Sequence, residues 1–289
     1  MSGDIFLSRN FEYQQKDGRL AIHGECLAVL SQIKDGSVNL IFADPPYNIG
    51  KDFGDVSDKL EREEYIAWCR HWIDECWRVL SPEGTFYFMT STQHMPYLDV
   101  YVDTKYNVLS RIVWFYDSSG VQSKRYYGSL YEPILMIVKN PKKYIFNAES
   151  IMVEARTGAV RKLIDYRKDP PQPYNNKKIP GNVWEFPRVR YRMKEYENHP
   201  TQKPLALLER IILASSNPGD IVLDPFAGTF TTNLSAYEHG RKTIGIEINE
   251  AFFKIGLRRL KITDEYKGEK LERDLDRKTN HRSKYVRKK

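Results

Sequence analysis

A chain of 289 residues with 41% hydrophobic content can form one large α/β domain, or a domain carrying an inserted lobe. No run approaches the roughly 18 apolar residues of a membrane span, and the start, Met1-Ser2-Gly3-Asp4, lacks the basic and apolar regions of a signal peptide. The formal charge of +7 is unevenly placed: residues 277–289 hold seven Lys/Arg and no acid, residues 140–198 hold thirteen Lys/Arg against seven Asp/Glu, and the remainder is acidic by six. An acidic body with a basic insert and a basic tail fits a polyanionic partner. Three cysteines, Cys26, Cys69 and Cys76, make an odd count without metal-ligand spacing, so a reduced, cytoplasmic protein without a metal site is expected.

In chain order, residues 20–24 and 38–43 read as short strands. The second, Val38-Asn39-Leu40-Ile41-Phe42-Ala43, runs into Asp44-Pro45-Pro46-Tyr47. Two consecutive prolines fix φ and remove two backbone donors, which holds the Asp44 carboxylate and the neighbouring carbonyls rigidly. Asn48 and Gly50 keep the chain out of a helix. A fixed carboxylate and carbonyl under an aromatic ring suit a planar exocyclic amine; a plain turn with a packing tyrosine is the alternative. Residues 61–80 read as a helix, with Tyr65, Trp68, Cys69, Trp72, Ile73, Cys76 and Leu80 spaced at three and four. Ser81-Pro82-Glu83-Gly84 stops it, and residues 85–89 read as a strand. Residues 111–116 and 134–138 look like a strand pair around a polar loop. From 140 to 198 the pattern breaks down into Pro/Asn/Gly loop signals interleaved with Arg, Lys and Tyr. A helix is predicted from Pro204, then a strand at 221–223, a helix at 231–239, a strand at 243–248 and a helix at 251–260. This alternation argues for a mostly parallel sheet covered on both faces.

Strand 221–223 leads into Asp224-Pro225-Phe226-Ala227-Gly228-Thr229-Phe230, and Glu247 closes the next strand. A tight strand-to-helix turn followed by an acid at the next strand end is the nucleoside-binding logic of doubly wound folds, the acid accepting from ribose hydroxyls. The glycines of a dinucleotide fingerprint are missing, and Asp224 would repel a phosphate. An acid in that turn suits a cationic ligand such as a sulfonium amino acid. An ordinary strand–helix connection is the alternative.

With these motifs in place, the chain resembles the bacterial DNA amino-methyltransferases of the permuted β group, which use S-adenosyl-L-methionine. Asp44 to Tyr47 matches the D/S/N-P-P-Y/F motif, His199-Pro200-Thr201-Gln202-Lys203-Pro204 the H-P-T-x-K-P motif, and Asp224 to Gly228 the D-P-F-x-G motif. Their order is that group's circular permutation. The resemblance implies a circularly permuted Rossmann-like methyltransferase fold, with 1–139 and 199–263 as catalytic and cofactor domain, 140–198 as target-recognition region and 264–289 as a basic tail. It implies methyl transfer to a flipped base of duplex DNA. Adenine N6 is preferred because Asp leads the motif; cytosine N4, methylation of RNA or a protein amide, and a DNA-binding relative without catalysis are the rivals.

The resemblance assigns catalysis to Asp44, Pro45, Pro46 and Tyr47. It assigns the cofactor to Glu25, Asp44, His199, Thr201, Lys203, Asp224, Pro225, Phe226, Ala227, Gly228, Thr229, Glu247 and Asn249. Thr201 and Lys203 are expected at the methionine carboxylate, at the start of a helix just after Pro200. Glu25 stands where the family usually has an Asp. Phe230 puts bulk where the family's turn is usually open, so a different loop geometry is expected. Trp114 or Tyr116 could wall the base pocket, with burial the other role for Trp114. Expected DNA contacts are Ser118, Ser119, Lys124 and Arg125 in a loop, and Arg188, Arg190 and Arg192 in the insert. Other expected partners are a second copy of the chain and a separately acting restriction endonuclease.

Overall fold

The computed structural model describes residues 5–50, 60–117, 124–155 and 163–263. Ser118, Ser119 and the tail at 264–289 lie outside the described residues. Among the described residues, β1 (Glu12–Lys16), β2 (Arg19–His23), β3 (Val38–Ala43), β4 (Leu80–Met89), β5 (Asn107–Phe115), β6 (Tyr131–Val138), β11 (Val183–Glu185), β12 (Ile221–Asp224) and β13 (Lys242–Glu247) build one nine-stranded sheet. Its order is β1-β2-β13-β12-β3-β4-β6-β5-β11. From β2 to β4 every pairing is parallel. β6 then pairs antiparallel with both β4 and β5.

Beyond the register shifts in β3–β4 and β5–β6, side chains alternate across the sheet, as a period of two requires. In β3 and β4, Ile41, Ala43, Phe86 and Phe88 face one apolar layer with α1 (Cys26–Leu30), α2 (Arg62–Val79) and α3 (Met95–Lys105). Leu40, Phe42, Tyr87 and Met89 face the other, with α4 (Leu205–Ser215) and α5 (Thr231–Glu238). Burial on both faces explains why these strands read as continuous apolar runs. Trp72 on α2 is fully buried and meets Phe86, Phe88 and Phe226 edge to face. Cys69 and Cys76 are both buried on the same helix, as free thiols.

Three features depart from the expectations. Ser81-Pro82-Glu83-Gly84 does not separate helix from strand: β4 begins at Leu80, which pairs with Val38 before the register shifts at Leu40. α3 was not foreseen; its apolar residues point around the helix and give no one-sided stripe. The insert is also not wholly outside the sheet. β11 pairs parallel with β5, and Trp184, 7% exposed, joins the core. Among the described residues the insert also holds a single 3-10 turn at Ala148–Ile151 and two short two-stranded pairs: β7 (Val153–Glu154) with β10 (Lys177–Lys178), and β8 (Ile164–Asp165) with β9 (Gln172–Pro173). The last helix among the described residues, α6 (Glu250–Arg259), packs on β2 and β13.

Candidate active site

The adjacency β13-β12-β3 places Glu247, the Asp224 turn and Asp44 side by side at the carboxyl ends of parallel strands. That edge is where open α/β sheets hold ligands. Two hollows of about 290 Å³ each open there. The first is lined by every residue assigned above to a cofactor, from Glu25 to Asn249, and by Pro46. The second is lined by Tyr47, Trp114, Tyr116, Glu132 and Arg188. His199, Thr201, Gln202 and Lys203 border both.

The first hollow has acidic points on an apolar wall. Asp224 is 3% exposed and accepts the Phe226 N–H at 3.0 Å, which closes the turn on the strand. Burial pushes its carboxyl up to about 7, against the hydrogen bonds from Thr232 and the Phe226 amide. Glu247 accepts the Gly228 N–H and the Asn249 N–H, both at 2.7 Å. Burial pushes it, too, up to about 7, although these amides oppose the shift. Gly228 has φ +51, and a Cβ there would lie 3.1 Å from His199 Nε2, so the turn needs glycine. Arg259 Nη1 donates to Thr229 O at 2.6 Å and Thr231 Oγ1 at 2.7 Å, tying the far side of the turn to α6. Glu25 caps α1, its Oε2 accepting the Ala28 N–H at 2.8 Å, while the side chain still borders the hollow. Phe226, Ile248 and Phe252 supply the apolar wall.

Phe230 does not intrude. Its ring is fully buried in the small cluster under α6, away from the hollow, while its backbone takes a left-handed φ of 59. The physical reason is a pair of close approaches, Gly245 on β13 and Gly256 on α6, which leave a slot for the ring.

Between the hollows sits a buried charged cluster. Lys203 Nζ lies 2.7 Å from Asp44 Oδ2 and 3.6 Å from Glu132 Oε2. The Tyr47 hydroxyl is 2.8 Å from Asp44 Oδ1 and 2.8 Å from Glu132 Oε2. Burial works against the Lys203 ammonium, but Asp44 and Glu132 outweigh it and hold the cation. Burial raises the Asp44 carboxyl; Lys203 opposes that and Glu132 adds to it. Within the protein, Lys203 is paired most closely with the Asp44 carboxylate. The helix expected just after Pro200 starts instead at Leu205, with Pro204 as N-cap, and Glu195 of the insert accepts the Leu205 N–H at 2.8 Å. Lys203 also lies 5.2 Å from the Tyr47 ring centroid, and both residues line the second hollow.

His199 is structural in its contacts: Nδ1 accepts the Thr201 N–H at 3.2 Å and the ring packs edge-on to Phe252. Burial, with Lys203 and Arg259 nearby, holds it down to about 3, so it is neutral. Trp114 is 1% exposed and donates Nε1–H to Phe186 O at 2.9 Å; it is a core residue that edges the second hollow. Of the predicted DNA contacts among the described residues, Arg188 alone reaches that hollow, its guanidinium 5.1 Å from the Tyr116 ring centroid. Arg190 and Arg192 are exposed in turns, and Lys124 and Arg125 are exposed at the start of the segment leading to β6. Glu132 was missed. It sits alone in an apolar strand, 85 residues from Tyr47, and the β3–β4 and β4–β6 pairings bring it to the site.

The model of the family described as DNA methylase, the N6/N4 methyltransferases, matches residues 38–258. The chain is 59% identical over 268 residues to the Escherichia coli DNA adenine methyltransferase YhdJ, covering 93% of this chain and 91% of that protein. It is 39% identical to the type II methyltransferase M.HpaI of Haemophilus parainfluenzae, covering 84% and 74%. Among solved structures, the cytosine-N4-specific PvuII DNA methyltransferase matches in fold with a TM-score of 0.67 at 16% identity, covering 94% of this chain and 96% of that one. The M1.HpyAVI–SAM complex matches with a TM-score of 0.56 at 27% identity, covering 83% and 98%. The matched model spans all three motifs, and the chain belongs to the DNA methylase family of N6/N4 amino-methyltransferases.

Proposed function

We propose that this chain transfers a methyl group from S-adenosyl-L-methionine to the N6 amino group of an adenine flipped out of duplex DNA. The observation that carries this reading is Asp44 at the head of the Pro45-Pro46-Tyr47 turn, held beside the acidic hollow by the β12–β3 pairing. The 59% identity to a protein named DNA adenine methyltransferase supports adenine over cytosine. The first hollow fits the donor by its chemistry: carboxylates at Asp224, Glu247 and Asp44 suit a cationic ligand, and Phe226, Ile248 and Phe252 suit an adenine face. When bound, the donor supplies an electrophilic sulfonium methyl. Glu247 would hold its ribose hydroxyls, and Asp224 and Glu25 border the same hollow.

The chain's own residues do the remaining work. An exocyclic amine delocalises its lone pair into the ring and is a poor nucleophile. Asp44 and the Pro45 carbonyl, accepting its two hydrogens, favour the pyramidal form as positive charge develops. Alignment for in-line attack then comes from positioning. Flipping the base costs a few kcal/mol, and stacking on Tyr47 would offset about 1–3 kcal/mol of it. The second hollow, walled by Tyr47 and Tyr116, is where that base would sit. Duplex DNA would be held by Arg188, Arg190, Arg192, Lys124 and Arg125, the segment 140–198 reading sequence and the basic tail adding affinity that is lost with salt. Digestion of DNA treated with the protein and S-adenosyl-L-methionine should yield N6-methyladenine; N4-methylcytosine alone would overturn the choice of base.

Cofactor affinity should depend on pH with a definite sign. Asp224 and Glu247 both sit near 7, and the ionised forms attract a cation. Affinity measured by calorimetry is expected to fall as pH drops through about 7, and Glu247→Gln should flatten that fall and weaken binding roughly 10-fold or more. Without ligand the sign reverses. Both carboxyls have folded values above their unfolded 3.8 and 4.5, so their stabilisation is fully present below those values and is lost as pH rises through about 7. A flat affinity between about pH 6 and 8 would remove both acids from the cofactor site.

A further inference from the structure

The Tyr47 hydroxyl lies 2.8 Å from Asp44 Oδ1 and 2.8 Å from Glu132 Oε2. A phenol has one hydrogen to donate. Two ionised carboxylates cannot both be hydrogen-bonded to it, and the second would press an anionic oxygen against the phenol's lone pairs in a buried site. Both contacts are satisfied when one of the two carboxyls carries a proton and donates it to the phenol oxygen. The surroundings favour such sharing. Asp44 is buried, its carboxyl is raised by that burial and further by Glu132, and one ammonium, Lys203, stands between two carboxylates. The groups facing Glu132 are Tyr47 from the turn after β3, Tyr116 from the end of β5 at 3.3 Å, and Lys203 ahead of α4, with Arg188 of the insert over the Tyr116 ring.

We propose that Glu132 is the outlet of a proton relay, Asp44 to Tyr47 to Glu132, which carries away the proton released by the methylated amine. This rests on the amino-methyltransferase reading above. At rest, Asp44 and Glu132 hold one proton between them through Tyr47. That proton leaves Glu132 for water in the second hollow, leaving Asp44 ionised to accept an amine hydrogen. In the transfer, the nitrogen lone pair forms the N–CH3 bond while the S–CH3 bond breaks and its electron pair stays on sulfur. The cationic nitrogen then gives one N–H proton to Asp44. Asp44 passes a proton to the phenol oxygen, and Tyr47 passes its own to Glu132. The resting state returns, and one proton has left the base. The relay points away from the cofactor hollow, since Glu132 borders only the second one. Glu132 acts through Tyr47 and is a positioning and relay residue rather than one that touches the reacting atoms.

The test uses the full chain with Glu132→Gln, which keeps shape and cannot take the proton, and Tyr47→Phe, which keeps the ring and breaks the chain. Two readouts are needed. In the neutral-pH infrared difference spectrum of wild type minus Glu132→Gln, in which the bands of Asp224 and Glu247 cancel, a protonated-carboxyl band is expected. In methyl incorporation from labelled S-adenosyl-L-methionine into unmethylated duplex DNA, the wild-type rate should rise with pH through one ionisation of the shared pair. Glu132→Gln should lower the plateau roughly 10- to 100-fold and move the acid limb to lower pH, with S-adenosyl-L-methionine affinity unchanged. Tyr47→Phe should lower the plateau in the same way, and the double variant should lower it no further. A neutral-pH spectrum without the band, or a Glu132→Gln protein with the wild-type limb and plateau, would overturn the relay. A wild-type chain that binds S-adenosyl-L-methionine but labels no DNA would instead remove the functional reading, and the infrared arm would still decide whether the pair shares a proton.

Discussion

Replacing Asp44 with alanine is expected to lower the single-turnover rate of methyl transfer by at least roughly 10²-fold, the usual loss when one preorganised electrostatic partner is removed. The carboxylate is placed by the end of β3 and by two prolines, so nothing nearby can move into its role. Its oxygens are held from two sides, by Lys203 at 2.7 Å and by Tyr47 at 2.8 Å, which fixes its direction before substrate arrives. Cofactor affinity should change far less, because Asp224 and Glu247 carry the remaining charge of that hollow. The alanine also strips a buried ammonium of its nearest partner, and breaking such a pair can cost about 3–5 kcal/mol of stability. Glu132, 3.6 Å from the same ammonium, limits that loss. Asp44→Asn separates the two effects: it keeps the shape and one acceptor oxygen, so the fold should survive while turnover still collapses. Rapid-quench measurement at saturating cofactor decides the matter; near-normal turnover in either variant refutes the mechanism.

How far the sequence could be read follows from where each residue's signal lies. Asp44 to Tyr47 and Asp224 to Gly228 were legible because each is a short contiguous string at the end of an apolar run, and strand ends of a parallel sheet converge. α2 was legible because seven residues share one stripe. α3 was not, since Pro96, Tyr97, Val100 and Tyr101 spread around the axis, and Tyr97 and Val100 stay exposed. β11 was hidden by its length of three residues and by a partner, β5, that lies some 70 residues away. Glu132 carries no local mark at all. Its meaning comes from strand pairing and from Tyr47, so it appears only when distances are known. The link between the insert and the cofactor side was likewise invisible. Glu195 caps α4, Glu197 pairs with Arg258, and the neighbouring Arg259 holds the cofactor turn, so residues near both sites meet at the end of α6.

Phe230 is the residue whose sequence reading and structural role differ most, and its replacement should produce the largest stability loss. The side chain is fully buried with its backbone at φ 59, a left-handed conformation that costs a bulky residue about 1–3 kcal/mol. The ring compensates by filling the slot between β13 and α6. A Cβ at Gly245 would lie 2.5 Å from its Cε1, and one at Gly256 would lie 2.1 Å from its Cδ2. Phe230→Ala keeps the strained backbone and empties the slot, so a loss of about 3–5 kcal/mol is expected, or roughly 5–10 °C in Tm. S-adenosyl-L-methionine affinity should fall only through α6 loosening its hold on Thr229, since the ring does not border the hollow. The slot also predicts a change of sign. Gly256→Ala alone should destabilise by about 1–3 kcal/mol, because the methyl meets the ring. In the Phe230→Ala background the same substitution meets empty space and gains the helix propensity of alanine over glycine, about 1 kcal/mol. Thermal unfolding of the two single variants and the double variant closes the cycle. Additive losses would mean that the ring does not occupy the Gly245–Gly256 slot.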